Sequence, residues 1–306
     1  MYLPKRPVNF TNRELQRKLL DPNRQKLRRM QMQKIGFSLQ SNYPAAMPEV
    51  LTLLRAVGFD AVSPPWQRGG DLSGTVDAAL RCGLTLQSLH GPLRGLDKMW
   101  NRDAVQSTPI LEELLCAADD CATYGFPLLV VHAWTGLDYT FRESALCFDN
   151  FDRLVERAQK NGIRIAFENL EGPEYLAALL ERYRDTEAVG LCWDSGHELC
   201  YAPNWDFLKE YGHRLLMTHL NDNLGITHPE GRLQGTDDLH LLPYDGIAHW
   251  SQILGRLKQA KPQEILNFEL KIRPKGDRCT MDLYSQLPLE QYFAEAYARA
   301  CRAVSE

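Results

Sequence analysis

Five short apolar runs each end in a residue able to ligate a metal ion. Residues 164–167 run into Glu168, 189–193 into Asp194, 215–218 into His219 and 265–268 into Glu269, with 128–131 running into His132 earlier in the chain. A β-strand that ends in a polar group, is followed by a helix and recurs many times is compatible with few architectures. In a closed parallel α/β barrel the catalytic groups come from the C-terminal ends of several different strands. Glu, Asp, His and Glu delivered by four strands form a donor set of oxygens and an imidazole suited to a divalent metal.

The rest of the chain keeps the alternation. Apolar runs bounded by turn signals predict strands over 34–39, 59–63, 84–89, 127–131, 164–167, 189–193, 215–218 and 265–268. Helical periodicity predicts helices over 45–57, 72–82, 108–124, 141–160, 173–184, 205–211, 247–259 and 289–304, with stop signals at Gly83, Gly125 and Asn161-Gly162. Strands alternating with helices build βαβ units and a parallel sheet, and eight of them close into a (β/α)8 TIM barrel of the α/β class. An open doubly wound sheet is the rival, but no Gly-rich phosphate fingerprint follows the first strand. The expected organisation is a basic N-terminal extension over 1–33 and a single barrel domain over 34–306. Two long loops, 91–101 and 221–246, are expected to serve as functional lids.

Charge divides the chain in the same place. Residues 1–34 hold ten Lys or Arg against Glu14 and Asp21, a net +8; the whole chain is −4, so the remainder carries −12. A basic arm on an acidic body can meet nucleic acid or an anionic surface. Aromatic residues that would stack on bases are nearly missing there, so the arm is expected to pack, partly helical, on its own barrel or on a second copy in a homo-oligomer, without a nucleic-acid partner. No apolar run nears the ~20 residues that cross a bilayer, and the polar N-terminus lacks the core of a secretory signal. The eight cysteines are scattered, with no C-x-x-C pair, as in a reduced cytoplasmic protein.

Six segments carry a further resemblance: Ser88-Leu89-His90-Gly91-Pro92, Phe167-Glu168-Asn169, Cys192-Trp193-Asp194-Ser195-Gly196-His197, Thr218-His219-Leu220-Asn221-Asp222, Asp238-Leu239-His240 and Phe268-Glu269-Leu270. In this order, most of them at successive strand ends, they resemble the xylose isomerase-like TIM-barrel superfamily. That group holds sugar isomerases, ketose 3-epimerases, inosose dehydratases and endonuclease IV. The resemblance runs from about Lys34 to the C-terminus and leaves the basic arm aside. It implies a shared metal site at Glu168, Asp194, His219 and Glu269 for one divalent ion (Mn, Mg or Zn). In endonuclease IV the site expands to three zincs, and the five further ligands match His90, His132, His197, Asp238 and His240. All nine ligand types are present, so a sugar enzyme, an endonuclease-like AP nuclease and an inosose dehydratase-like lyase all stay open. The setting Phe268-Glu269-Leu270-Lys271, instead of Glu-Thr-Pro, and the acidic barrel favour sugar chemistry, because a phosphate backbone rewards Lys and Arg.

Moving a hydrogen next to a carbonyl requires removal of a carbon-bound proton and stabilisation of the enediolate. A divalent cation supplies that stabilisation, and two carboxylates on opposite sides of the substrate serve as base and acid. By resemblance to the ketose epimerases these are Glu168 and Glu269, in an isomerase or epimerase of a sugar or sugar phosphate. The same resemblance places His90, His132, His197, Asp238 and His240 as substrate contacts in the one-metal reading. Glu174, six residues beyond Glu168, falls where some relatives bind substrate, although Pro173 beside it equally marks a helix start. Trp66 and Trp134, just past strand ends, offer faces for a sugar ring. Lys271 and Arg273 either grip an anionic substrate group or pair with nearby acids.

Overall fold

Along each apolar run alternate side chains point to opposite faces, so one set enters the barrel and the other packs under the helices. The computed structural model describes residues 33–272 and 282–305. The expected N-terminal extension, apart from Gln33, and Arg273 lie outside the described residues. Eight strand positions follow in order: β1 Lys34–Ser38, β2 Ala61–Ser63, β3 in two segments Thr85–Leu86 and Leu89–His90, β4 Leu128–His132, β5 Arg164–Glu168, β6 Val189–Asp194, β7 Leu215–His219 and β8 Ile265–Phe268. Every neighbouring pair is parallel, and β1 pairs with both β2 and β8. Parallel bridges Pro65–His90 and Leu220–Phe268 join the remaining edges and close the barrel.

The helices are α1 Met47–Val57, α2 Leu72–Arg81, α3 Ala104–Tyr124, α4 Asp149–Lys160, α5 Pro173–Arg182, α6 Ser195–Tyr201, α7 Phe207–Tyr211, α8 Trp250–Leu257, α9 Asp282–Ser285 and α10 Leu289–Ala303. None of the described helices is long and apolar enough to cross a membrane. The main core lies between strands and helices and includes Phe37, Phe59, Leu114, Phe151, Phe167, Trp193, Phe268 and Phe293. A smaller cluster, Leu128, Val130, Ala166, Cys192, Leu216 and Met217, plugs the barrel itself. This places the fold in the TIM barrel class.

Several boundaries differ from the sequence reading, each for a local reason. The helix expected over 141–160 begins only at Asp149. Phe141, Leu146 and Phe148 pack sideways against the core, Phe141 edge-on to Tyr175 at 5.1 Å, instead of forming a helical stripe. The helix expected from 108 starts at Ala104, because the Asp103 carboxylate accepts the Val105 N–H at 3.0 Å and caps it there. The helix expected from 247 starts at Trp250, since Ile247 N and Ala248 N are drawn instead to Asn223 O and the Asp222 carboxylate, both at 2.9 Å. The loop over 91–101 is anchored: Leu96, Met99 and Trp100 are buried, and the Trp100 indole donates to Ala133 O at 2.9 Å.

Candidate metal centre

His219 reaches the barrel interior through a change of phase. Leu191 pairs with Leu215, but the next residue, Cys192, pairs with Met217, so Leu216 is an extra residue in β7. Strict alternation from the outward Leu215 would turn His219 outward; the bulge reverses the phase and turns Met217 and His219 inward. Gly190 on β6 makes room for it. A Cβ there would collide with Arg214 O and lie 2.6 Å from Leu216 Cγ.

The four expected ligands converge. Glu168, Asp194, His219 and Glu269 place donor atoms within 4.8 Å of one another, three of them buried and Glu269 half-buried. His219 Nδ1 lies 2.9 Å from Glu168 Oε1 and 2.8 Å from Glu269 Oε2, which brings the two carboxylates to a common point. His90 Nε2 and His132 Nε2 approach Glu168 Oε2 at 3.2 and 3.4 Å. His90, Glu168 and His219 form a second group of metal-competent donors.

A third group, His197, Asp238 and His240, adjoins them. Asp238 Oδ1 lies 2.7 Å from His240 Nε2 and 3.3 Å from His197 Nε2. His197 sits in the first turn of α6, whose N-cap is Asp194 itself: the Asp194 carboxylate accepts the His197 N–H at 2.7 Å. His240 stands in a left-handed backbone conformation (φ 51°), fixed by Leu241–Asp222 backbone bonds at 2.8 and 3.0 Å and by Lys271 N donating to His240 O at 3.0 Å. Such a conformation in a non-glycine residue persists only where its surroundings impose it.

Sequence reasoning missed the residues that hold these ligands in place. Asn221 donates to both Asp194 oxygens, at 3.1 and 2.9 Å, and Asn169 brackets the Asp194 backbone with bonds of 2.8 and 2.7 Å. A Cβ on Gly196 would run into the Asn221 and Asn223 side chains, so that approach needs glycine. Buried Asp222 organises the 221–249 segment by accepting from Tyr244 N, Ala248 N and the Trp250 indole at 3.0, 2.9 and 3.2 Å. The signal available was an Asn/Asp-rich run directly after a strand end, a common mark of side chains that bond backbone.

Burial opposes ionisation of Glu168, yet the His219 charge and hydrogen bonds from His132, His197 and His219 outweigh it and hold the carboxyl well below its usual range. Glu269 is lowered likewise, against burial, by His219 and His240. Asp238 is lowered against burial by His240, Lys271 and His197. Asp194 moves the other way: burial raises it, and Glu168 and Glu269 add to the rise. Burial depresses His132, whereas, despite burial, His197 is held up by Asp194 and Asp238, and His219 by Cys192 together with Glu168 and Glu269.

Donor chemistry tests whether a cation belongs here. His132 Nδ1 and His219 Nε2 are sealed from solvent without a hydrogen-bond partner, and Glu269 Oε2 is sealed likewise and makes no well-formed hydrogen bond although His219 Nδ1 lies 2.8 Å away. Burying several carboxylates together is costly unless cationic charge offsets them. Residues of this kind, with ligand atoms this close, fit a divalent metal ion.

Three other expected contacts stand apart from those groups. Glu174, in the first turn of α5, accepts the Tyr139 hydroxyl at 3.0 Å. Trp134 stacks one face on Tyr175 at 4.1 Å and donates its indole N–H to Gly136 O. Trp66 is buried and bonded to Asp120 at 2.6 Å, so it is no stacking platform. Lys271 pairs with Asp238 at 3.6 Å, the pairing alternative of the two expected for it.

Comparison with known proteins agrees with this architecture. A curated relative, uncharacterized protein y4fM of Sinorhizobium fredii, is 33% identical over 198 residues, or 60% of this chain. The chain spans 57% of that protein's length. Among solved structures, an IolI protein with a bound zinc atom superposes with a TM-score of 0.70 at 19% identity, covering 89% of this chain and 98% of that one. An L-ribulose 3-epimerase gives 0.67 at 13% identity, covering 90% and 95%. The 3-keto-D-glucoside 4-epimerase of E. coli gives 0.64 at 15% identity, covering 88% and 99%. The family of xylose isomerase-like TIM barrels matches residues 51–297, and the chain belongs to it.

Proposed function

We propose that this protein is a divalent-metal-dependent isomerase or epimerase of a small polyhydroxylated carbonyl compound, a sugar or sugar phosphate. The observation that carries the reading is the meeting of Glu168 and Glu269 on His219 Nδ1, at 2.9 and 2.8 Å, with Asp194 completing the donor set. Two carboxylates that share one point from two different strands can serve a substrate bound there as base and acid. Glu168, Asp194, His219 and Glu269 would hold the metal, which when bound polarises a carbonyl and offsets negative charge developing on its oxygen.

The protein's own groups do the rest. Glu168 and Glu269 stay ionised, each able to take a carbon-bound proton and return it. Asn221 and the His197 N–H lock the Asp194 carboxylate, so it does not swing to compete for substrate hydroxyls. His90 and His132, with Nε2 atoms turned to Glu168, keep its second oxygen oriented. The epimerases among the structural relatives support this reaction class, and the zinc-bound IolI protein supports a metal.

The tests are metal analysis of protein purified without added metal and exchange of solvent deuterium into L-ribulose and D-fructose. About one divalent ion per chain with exchange is the expected result. A second reading has its own support: the three groups together hold eight of the nine residues that resemble the trinuclear zinc site of endonuclease IV, and the ninth, His132, approaches Glu168. Close to three zincs per chain, with cleavage of abasic DNA lost on His240→Ala, would replace the first reading with the second.

A further inference from the structure

Beside the metal-competent groups lie two polar side chains that nothing so far explains. Glu171 follows three residues after Glu168, and one of its carboxylate oxygens, Oε2, is sealed from solvent without a hydrogen-bond partner. Tyr201, at the end of α6, is 5% exposed; its hydroxyl is not sealed from solvent and has no hydrogen-bond partner among the described residues. Leaving the sealed Glu171 oxygen unpaired costs about 1–3 kcal/mol, more for a charge, and such a group calls for an absent partner.

The local packing fixes both groups. Leu170 packs against Tyr201 and Cys200, which ties the loop carrying Glu171 to α6. Two residues before Glu171, Asn169 O meets His197 Nδ1 at 2.9 Å. One step forward, Gly172 (φ 66°) is pressed so closely on Trp134 that a Cβ would lie 3.0 Å from its Cγ. The loop is therefore held from both sides. The Tyr201 ring lies 5.8 Å from that of His197, at the edge of the donor cluster. Burial, together with Asp238, Cys200, Glu171 and Asp237, pushes the Tyr201 phenol far above its ordinary range, so it remains an O–H donor at any working pH.

We infer that Glu171 and Tyr201 form a subsite for one hydroxyl of a polyhydroxylated substrate, the carboxylate accepting its proton and the phenol donating to its oxygen. A substrate hydroxyl is both donor and acceptor, and this pair supplies the complement of each. The inference rests on the proposed function for the reaction at the neighbouring metal site, and it goes further by adding two substrate-contact residues on the α6 side. A site built to bond a hydroxyl discriminates strongly against an analogue that lacks it, because its own groups are then left unpaired. This subsite would accordingly select among sugars of equal size by the position of one hydroxyl.

The experiment measures binding separately from turnover. Metal-loaded wild type, Glu171→Gln and Tyr201→Phe are titrated with D-fructose and its monodeoxy analogues by saturation-transfer NMR, with metal content and Tm recorded for each. Wild type is expected to bind D-fructose roughly tenfold or more tightly than one particular deoxy analogue. Both variants should lose that discrimination while keeping metal content. Should Tyr201→Phe fail to fold, Glu171→Gln alone decides, since it keeps shape and volume. Unchanged discrimination in the variants, or no binding of D-fructose by the wild type, overturns the subsite. Failure of deuterium exchange with binding and discrimination intact would instead remove the isomerase reading and leave the subsite standing.

Discussion

The two halves of the barrel line the same interior with opposite chemistry. On β8, β1, β2 and the first segment of β3 the polar residues Asn267, Ser38, Ser63 and Gln87 are neutral and bond to one another. Asn267 accepts from Ser38 Oγ at 2.7 Å and donates to Ser63 Oγ and Gln87 Oε1 at 3.2 and 3.0 Å. Gly36 on β1 leaves them space, since a Cβ there would stand 2.5 Å from Gln87 Oε1. On β4 to β7 the inward residues at the strand ends are His132, Glu168, Asp194 and His219, and there buried acceptors and ring nitrogens remain without partners. A self-satisfied polar network stabilises and orders a core without calling for anything else. An unsatisfied one calls for a ligand. Glu269, directly after β8, and His90, at the end of β3, are strand-end groups by which the neutral half enters the charged one.

Substitutions sharpen the contrast, and the largest effects belong to the charged half. Glu168→Gln or Glu269→Gln should reduce exchange of solvent deuterium into an accepted ketose by at least about 10²–10⁴-fold, the contribution of a positioned acid or base. Binding of the sugar should fall much less, because Gln keeps the shape and one oxygen. Full exchange activity in either variant would remove the proposed roles. Next in size, Asp194→Asn should lower metal content and abolish metal-induced stabilisation. For the wild type that stabilisation is about 2.7 kcal/mol at a hundredfold excess over Kd, read as a Tm shift on adding metal to stripped protein. A wild-type Tm indifferent to Mn, Mg and Zn would break the comparison at its centre.

What the sequence revealed follows the physics of each element. Strand ends were legible because a lone Glu, Asp or His after four or five apolar residues has few structural uses, and all four predicted core ligands meet. Asp238 and His240 were legible only as a motif; their approach to His197 depends on a loop whose shape comes from Asp222 and Asn223, side chains with no periodic signal. The bulge at Leu216 was invisible, because Leu215-Leu216-Met217 is apolar on both faces and carries no register mark. Helix α6 went unpredicted, as seven residues span barely two turns. The Glu171–Tyr201 pair was likewise beyond reach, since its two members come from different elements and only the folded chain reveals that the Glu171 oxygen is sealed without a partner.

The bulge offers an intermediate test that links the halves of the problem. Gly190→Ala puts a methyl where Leu216 and Arg214 O already stand, and overpacking of this kind costs roughly 1–3 kcal/mol. Relief requires β7 to shift, which moves His219 as well, so metal affinity should fall along with stability in chemical denaturation. Lost stability with unchanged metal affinity would show that the phase of β7 is fixed by something other than this contact.

The neutral half gives the smallest effects, and they must separate from metal binding altogether. Asn267→Ala strands Ser38, Ser63 and Gln87 together and should cost about 1–3 kcal/mol of stability by urea unfolding. Ser63→Ala removes only the 3.2 Å acceptor of the Asn267 amide, which keeps its bond to Gln87; its cost should be about 0.5–1.5 kcal/mol. Neither side chain reaches the donor groups, so metal content should match the wild type in both variants. If Ser63→Ala emptied the metal site, the neutral network would be part of the centre's architecture, and the division of the barrel into two chemically independent halves would fail.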